Sequence, residues 1–263
     1  MNEAELVLSQ VLDCDRVSLY LNKGLVLDKD KSAIVLNIFK RRISGEPLQY
    51  ILGKCEFMGF EFKVDKRALI PRPETEILVE AALKELKIEA DAGSKVLDLG
   101  TGTGCIAVLI AKLLPKSIVW ALDVSKDALE LAQENASLNK VKIKFLCSDL
   151  FKEIRNNKFD LIISNPPYVS IEEFQGLAKE ISFEPKLALV AGIDGLDFYR
   201  SIISQSVNYL NNNGLLALEV GINQSQPVRL MLEKEDFSDI KIINDYNNIQ
   251  RVIIAKKRIN LNG

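Results

Sequence analysis

The chain has 263 residues, of which 48% are hydrophobic, enough for one large domain or for a small domain joined to a medium one. Its 34 Lys and Arg against 36 Asp and Glu leave a formal charge of −2, so no sequence-wide field draws it to nucleic acid or to an anionic membrane. It contains no histidine, which excludes Ser-His-Asp triads, imidazole bases and His-ligated metals, and Cys14, Cys55, Cys105 and Cys147 form no C-x-x-C pair that would suggest zinc or a disulfide framework.

The amino terminus opens on acidic residues, and no apolar run reaches the length of a bilayer span. A soluble, unexported, cytoplasmic protein with reduced thiols and no membrane partner is expected. The first ~55 residues carry helical periodicity, in Leu6, Leu8, Val11 and Leu12 and again in Ile34, Val35, Ile38 and Phe39, with Asp28 placed to cap the second of these helices. Residues 56–64 alternate apolar and polar around Gly59, which predicts a short hairpin. Pro71-Arg72-Pro73 then opens a helix bearing Ile77, Leu78, Ala81, Ala82 and Leu86, and a linker is expected near residues 65–73.

From Lys95 the pattern becomes strand, turn, helix, repeated. The strand candidates are Val96–Leu99, Ile118–Leu122, Ile143–Cys147, Leu161–Ser164 and Leu215–Val220, with helices such as Asp127–Leu138 and Leu196–Leu210 between them. This alternation predicts parallel strands with right-handed crossovers. Ile240–Ile243 and Arg251–Ala255 read as a terminal hairpin that adds one antiparallel strand.

Two motifs carry chemistry. Gly100-Thr101-Gly102-Thr103-Gly104 follows the first of these strands as G-x-G-x-G, and the dinucleotide spacing G-x-G-x-x-G is absent, so a nucleoside-type ligand is expected rather than a pyrophosphate. Asp123 ends the next strand, where a carboxylate can accept from ribose hydroxyls or cap the following helix, and the ribose reading is favoured. Asp149, after the third strand, is balanced between accepting from an adenine amino group and capping a turn. Asn165-Pro166-Pro167-Tyr168 ends the fourth strand, where open α/β sheets hold ligands. Its prolines make a stiff, acceptor-rich turn able to grip an –NH₂ group; the plain alternative is an ordinary strand-ending turn, with Tyr168 a core aromatic.

Taken together, these motifs resemble a class I S-adenosylmethionine-dependent methyltransferase. More narrowly, the chain is similar to the HemK/PrmC family of protein glutamine methyltransferases. The likeness also runs through residues 45–53 (Gly-Glu-Pro-Leu-Gln-Tyr-Ile-Leu-Gly), residues 69–76 (Leu-Ile-Pro-Arg-Pro-Glu-Thr-Glu), Glu184-Pro185 and residues 192–196 (Gly-Ile-Asp-Gly-Leu). The resemblance implies an α/β, Rossmann-like, seven-stranded, mostly parallel sheet in residues 65–263. It also implies a small helical docking domain with a linking β-hairpin in residues 1–64. A monomer is expected. S-adenosyl-L-methionine would be held by Gly100, Thr101, Gly102, Thr103, Gly104, Asp123, Asp149, Leu150 and Asn165. Arg72, Asn165, Pro166, Pro167 and Tyr168 would hold the substrate, with Asn165, Pro166 and Tyr168 at the chemistry. That substrate would be the glutamine of the Gly-Gly-Gln motif in peptide-chain release factors. The sequence departs from the family at Leu150, where an aromatic is usual, and in residues 245–252, which lack the usual glycine and acidic residue before Arg251-Val252. An adenine amino-group methyltransferase acting on nucleic acid is the alternative, since Asn-Pro-Pro-Tyr grips any planar –NH₂; the charge balance opposes it, and no direct nucleic-acid binding is expected.

Overall fold

The computed structural model describes residues 2–21, 24, 26–86 and 93–258. Four helices come first: α1 (Glu3–Leu12), α2 (Arg16–Leu21), α3 (Lys29–Ile43) and α4 (Leu48–Leu52). Asn2 and Glu5 exchange side-chain and backbone hydrogen bonds in a capping box that starts α1. Asp28 caps α3 as expected, its Oδ1 accepting from the Lys31 N–H at 2.8 Å. Val7, Ile38 and Leu48 close a small core among α1, α3 and α4. The helix α2 has no buried side chain.

The expected hairpin is β1 (Lys54–Phe57) and β2 (Phe60–Lys63). Met58 and Gly59 at its tip have φ of 48° and 76°, the pair of positive values that matches a two-residue turn to the twist of the strands. Its Phe57 and Phe62 rings meet edge to face with centroids 6.2 Å apart, and both sink into the core of the large sheet.

That sheet has seven strands: β3 (Lys95–Leu99), β4 (Ile118–Asp123), β5 (Lys144–Cys147), β6 (Phe159–Ser164), β7 (Leu210–Glu219), β8 (Phe237–Asn244) and β9 (Gln250–Lys257). Their order is β5-β4-β3-β6-β7-β9-β8, with β3 to β7 parallel and β9 antiparallel to both its neighbours. Helices α5 (Pro73–Glu85), α6 (Cys105–Leu113) and α7 (Lys126–Leu138) bury their apolar faces with Val96, Ala121 and Ile163 on one side of the sheet. Successive residues of a strand point to opposite faces, so Leu97, Leu122 and Ile162 pack on the other side. There they meet α9 (Asp197–Ser206) and α10 (Ser225–Lys234), which follow the short α8 (Ile171–Gln175). Being covered on both faces, the parallel strands read as near-continuous apolar runs.

The expected helix Leu196–Leu210 is shorter: α9 stops at Ser206, and Leu210 already pairs with Phe159 on β6. The Tyr209 N–H donates to the Ser206 carbonyl at 2.9 Å, turning the chain into the sheet. Val207 and Leu210 prolong the apolar pattern only because both pack into the core beyond the helix. At the last hairpin Asn248 takes the left-handed conformation, with φ 60°, that a glycine would otherwise supply. Asp245 accepts the Asn247 and Ile249 N–H groups at 2.9 Å each and organises the turn. No helix among the described residues is long and apolar enough to cross a membrane.

Candidate active site

Strand order reverses at β3: the chain proceeds from it to β4 and β5 on one side and returns to β6 and β7 on the other. A crevice opens at the carboxyl ends of strands at such a point. Here it is a cleft of about 1120 Å³ including its open mouth, lined by the glycine loop, the ends of β4 and β6, and Arg72 and Thr75 from the start of α5. Beneath it the Ser164 hydroxyl donates to the Leu99 carbonyl at 2.7 Å and locks the ends of β3 and β6 together.

Gly100, Gly102 and Gly104 have φ of 69°, 54° and 80°, values that a side chain strains to adopt. Gly104 faces away from the cleft: a Cβ there would lie 2.9 Å from the Ala132 Cβ, so this glycine sets how closely α6 and α7 approach. The loop is held from below by Asp98. Its Oδ2 accepts from the Thr101 hydroxyl at 2.6 Å and the Ala107 N–H at 3.2 Å, while its buried Oδ1 has no partner among the described residues. Burial pushes this carboxyl up to about 7.

Asp123 lies in the cleft at the end of β4. One oxygen takes the Gly102 N–H and the other the Ser125 N–H, each at 2.9 Å, which fixes the carboxylate and leaves further lone pairs to accept. Burial raises its pKa, opposed by those backbone hydrogen bonds. The cap of α7 is Ser125, whose Oγ accepts from the Ala128 N–H at 3.2 Å, so Asp123 is not needed as a cap. Asp149 and Leu150 line the mouth. Asp149 is exposed and pairs with Lys152 at 2.5 Å; Leu150, at φ 50°, offers an apolar side chain.

At the end of β6, Asn165, Pro166 and Pro167 line the cleft. The Asn165 Nδ2 donates to the Thr75 hydroxyl oxygen at 3.0 Å, and that hydroxyl donates to Glu219 Oε2 at 2.6 Å. Asn165 Oδ1 takes no hydrogen bond from any described residue, although its residue borders the cleft. Glu219, at the end of β7, is 1% exposed, and burial pushes it up to about 7. Tyr168 is not among the lining residues: its ring packs on the α9 side of the core and its hydroxyl reaches Glu219 Oε1 at 3.4 Å. A tight corner braces it from behind. Gln224 Nε2 donates to the Tyr168 carbonyl at 2.9 Å, and a Cβ on Gly195, at φ 73°, would come within 2.4 Å of that oxygen. Arg72, also in the cleft lining, is clamped by Glu184, whose second oxygen accepts the Ile70 N–H at 3.1 Å.

The structure thus brings Arg72, Gly100 to Thr103, Asp123, Asp149, Leu150 and Asn165 to Pro167 to one cleft, and leaves Gly104 and Tyr168 behind its walls. Sequence reasoning missed Thr75, which touches Asn165, and Glu219, which touches Thr75. Thr75 stands within the Pro-Glu-Thr-Glu run that carried the resemblance, but nothing local marks Glu219, 144 positions away.

Residues 1–53 match the PrmC N-terminal domain family and residues 74–192 the methyltransferase small domain family. The chain is 42% identical over 95% of its length to the release factor glutamine methyltransferase of Geobacter sulfurreducens, covering 87% of that protein. It is 39% identical over 98% of its length to the same-named protein of Thermodesulfovibrio yellowstonii, covering 92% of it. Among solved structures, a methyltransferase from Pyrococcus furiosus superposes with a TM-score of 0.58 at 19% identity, over 88% of this chain and all of that one, and so shares the fold. With this identity sustained through both the helical region and the cleft, the chain belongs to the release factor glutamine methyltransferase family.

Proposed function

We propose that the chain methylates the side-chain amide nitrogen of the glutamine in the Gly-Gly-Gln motif of peptide-chain release factors, with the cleft holding both methyl donor and acceptor. The donor is S-adenosyl-L-methionine, which supplies an electrophilic methyl group on a sulfonium. The cleft suits it: Asp123 keeps acceptor capacity for vicinal hydroxyls, Gly100 and Gly102 let a ligand lie against backbone, and Leu150 and Val124 offer apolar surface. Thr101, Thr103 and Asp149 complete its surroundings in this reading.

The observation that carries the proposal is the polarity of Asn165, whose Nδ2 is spent on Thr75 and whose Oδ1 is left to accept. An amide nitrogen is a poor nucleophile because its lone pair is delocalised into the carbonyl. Asn165 Oδ1 and the Pro166 carbonyl accept its two N–H bonds, which holds the nitrogen so that its lone pair faces the methyl. Pro167 removes one N–H donor from the turn and stiffens it. Holding reacting atoms in line at ~3–3.5 Å supplies several kcal/mol of the barrier. As the N–C bond forms and the S–C bond breaks, the nitrogen becomes strongly acidic and sheds its proton to water, so a chain without histidine needs no dedicated base. Tyr168, tied to Glu219, stiffens the turn from behind, and Arg72, clamped by Glu184, borders the entry of the acceptor.

Asn165→Ala tests this directly. Single-turnover methylation should fall by on the order of 10²–10³, while affinity for S-adenosylhomocysteine stays within about tenfold, ~1.4 kcal/mol. Asn165→Asp keeps an acceptor and should retain part of the rate. A parental rate in Asn165→Ala would place the methyl acceptor elsewhere.

A further inference from the structure

A carboxamide is nearly symmetric in shape, so sterics do not decide which end Asn165 turns to the cleft; its hydrogen-bond partner does. That partner is the Thr75 hydroxyl, which has one hydrogen to give and lone pairs to accept, and could face Asn165 either way. Glu219 removes the ambiguity. An ionised carboxylate only accepts, and its Oε2 lies 2.6 Å from the Thr75 oxygen, so the hydroxyl hydrogen is committed to it. Its other oxygen accepts from the Tyr168 hydroxyl at 3.4 Å.

We propose that Thr75 and Glu219 are positioning residues that set the polarity of Asn165: Glu219 takes the Thr75 hydrogen, Thr75 therefore accepts from Asn165 Nδ2, and Oδ1 faces the substrate as an acceptor. The proposal rests on Asn165 being the grip on the glutamine amide, as argued above. It makes the state of Glu219 a switch. Thr75 and Glu74 on α5, Tyr168 after β6, Tyr199 on α9 and Arg251 on β9 surround this carboxyl. Burial is the largest influence and, with Glu74, raises it to about 7, against the pull of Thr75, Arg251 and Tyr168. Protonated Glu219 donates to the Thr75 oxygen, freeing the Thr75 hydrogen to donate to Asn165 Oδ1. The carboxamide then turns its NH₂ toward the cleft, where the N–H groups of the glutamine would meet donors. Methyl transfer is therefore lost as pH falls through about 7, with no group that abstracts a proton from the substrate.

The test uses the full-length protein and a purified release factor, with single-turnover rates at saturating S-adenosylmethionine and acceptor from about pH 5.5 to 8.5. The parent should show an acid limb near 7. Thr75→Ala should lower the saturated rate tenfold or more and lose the limb; Thr75→Ser should keep both rate and limb; Glu219→Gln, neutral at every pH, should lose the limb at whatever plateau it reaches. Calorimetry should find cofactor affinity unchanged in all three, which a collapsed fold would not allow. If Thr75→Ala misfolds, the comparison of parent with Glu219→Gln decides, and an acid limb surviving in Glu219→Gln overturns the proposal. A parental rate and limb in Thr75→Ala, beside an inactive Asn165→Ala, refutes the positioning role alone. A parental rate in Asn165→Ala refutes the reading of the site on which it rests.

Discussion

The half-buried Asp123 and the buried Glu219 are both carboxylates at strand ends, yet their partners assign them different work. Asp123 is held by backbone N–H groups and keeps lone pairs for a ligand, so Asp123→Ala should weaken S-adenosylhomocysteine binding by roughly 1–3 kcal/mol, the cost of leaving ribose hydroxyls without an acceptor. Unchanged affinity in a calorimetric titration would sink that assignment. Glu219 and Asp98 are pushed up to about 7 from ordinary values of 4.5 and 3.8. Between those limits the folded chain binds more protons than the unfolded one. The stability these groups allow at low pH is therefore lost as pH climbs toward 7, by at most about 1.4 kcal/mol per pH unit for each group. The melting temperature without ligand should fall from about pH 5 to pH 7.5, and Glu219→Gln should flatten that fall. A melting temperature that rises over the same window would contradict the assignment. Gly-x-Gly-x-Gly, Asp123 and Asn-Pro-Pro-Tyr were legible in the sequence because each is a local pattern at a strand end. The Asn165–Thr75–Glu219 chain was not, since it joins three elements that only the folded sheet brings together. Tyr168 shows the same limit from the other direction: its place in the motif says that it matters, but only packing shows that it faces Glu219.

At the scale of elements, α7 fastens the hairpin to the glycine loop. The fully buried Asn135 gives its Nδ2 to the carbonyls of Lys63 and Thr103 at 3.0 and 2.9 Å and takes the Lys63 N–H at 2.7 Å. Removing that side chain strands three backbone groups. Asn135→Ala is expected to cost on the order of 2–4 kcal/mol in denaturant unfolding and to weaken cofactor binding through the loaded loop. A loss under ~0.5 kcal/mol would show that water replaces these bonds. The parallel strands could be read in sequence because two covered faces leave near-continuous apolar runs in them. Helix ends were harder. Val207 and Leu210 continue the apolar spacing past Ser206, and periodicity alone does not say that the last of them belongs to a strand.

Across the whole molecule, the four N-terminal helices meet the sheet body through a few contacts. The Tyr50 hydroxyl donates to the Ala68 carbonyl at 2.7 Å, and Arg42 pairs with Glu180 at 3.2 Å. Those helices expose Val17, Leu21 and Ile43 at 64%, 77% and 83%, apolar surface suited to a protein partner. We propose that they dock the release factor and add nothing to the chemistry. By its packing the hairpin is part of the body, since Phe57 and Phe62 fill the main core. Deleting residues 1–53 should therefore spare cofactor binding and lower kcat/KM for an intact release factor by tenfold or more. A cut at residue 64 should also unfold the body by stripping out those rings. Undiminished kcat/KM after the first deletion would refute the docking role. With a net charge of −2, the protein is also expected to show no salt-dependent affinity for duplex DNA or RNA in a filter-binding titration.

The most direct measurement is peptide mass spectrometry of a purified release factor after incubation with the protein and S-adenosylmethionine. A single methyl group on the side-chain amide of the glutamine in Gly-Gly-Gln, absent when Asn165→Ala replaces the parent, is the expected result. No added methyl, or a methyl at any other residue, would contradict the account.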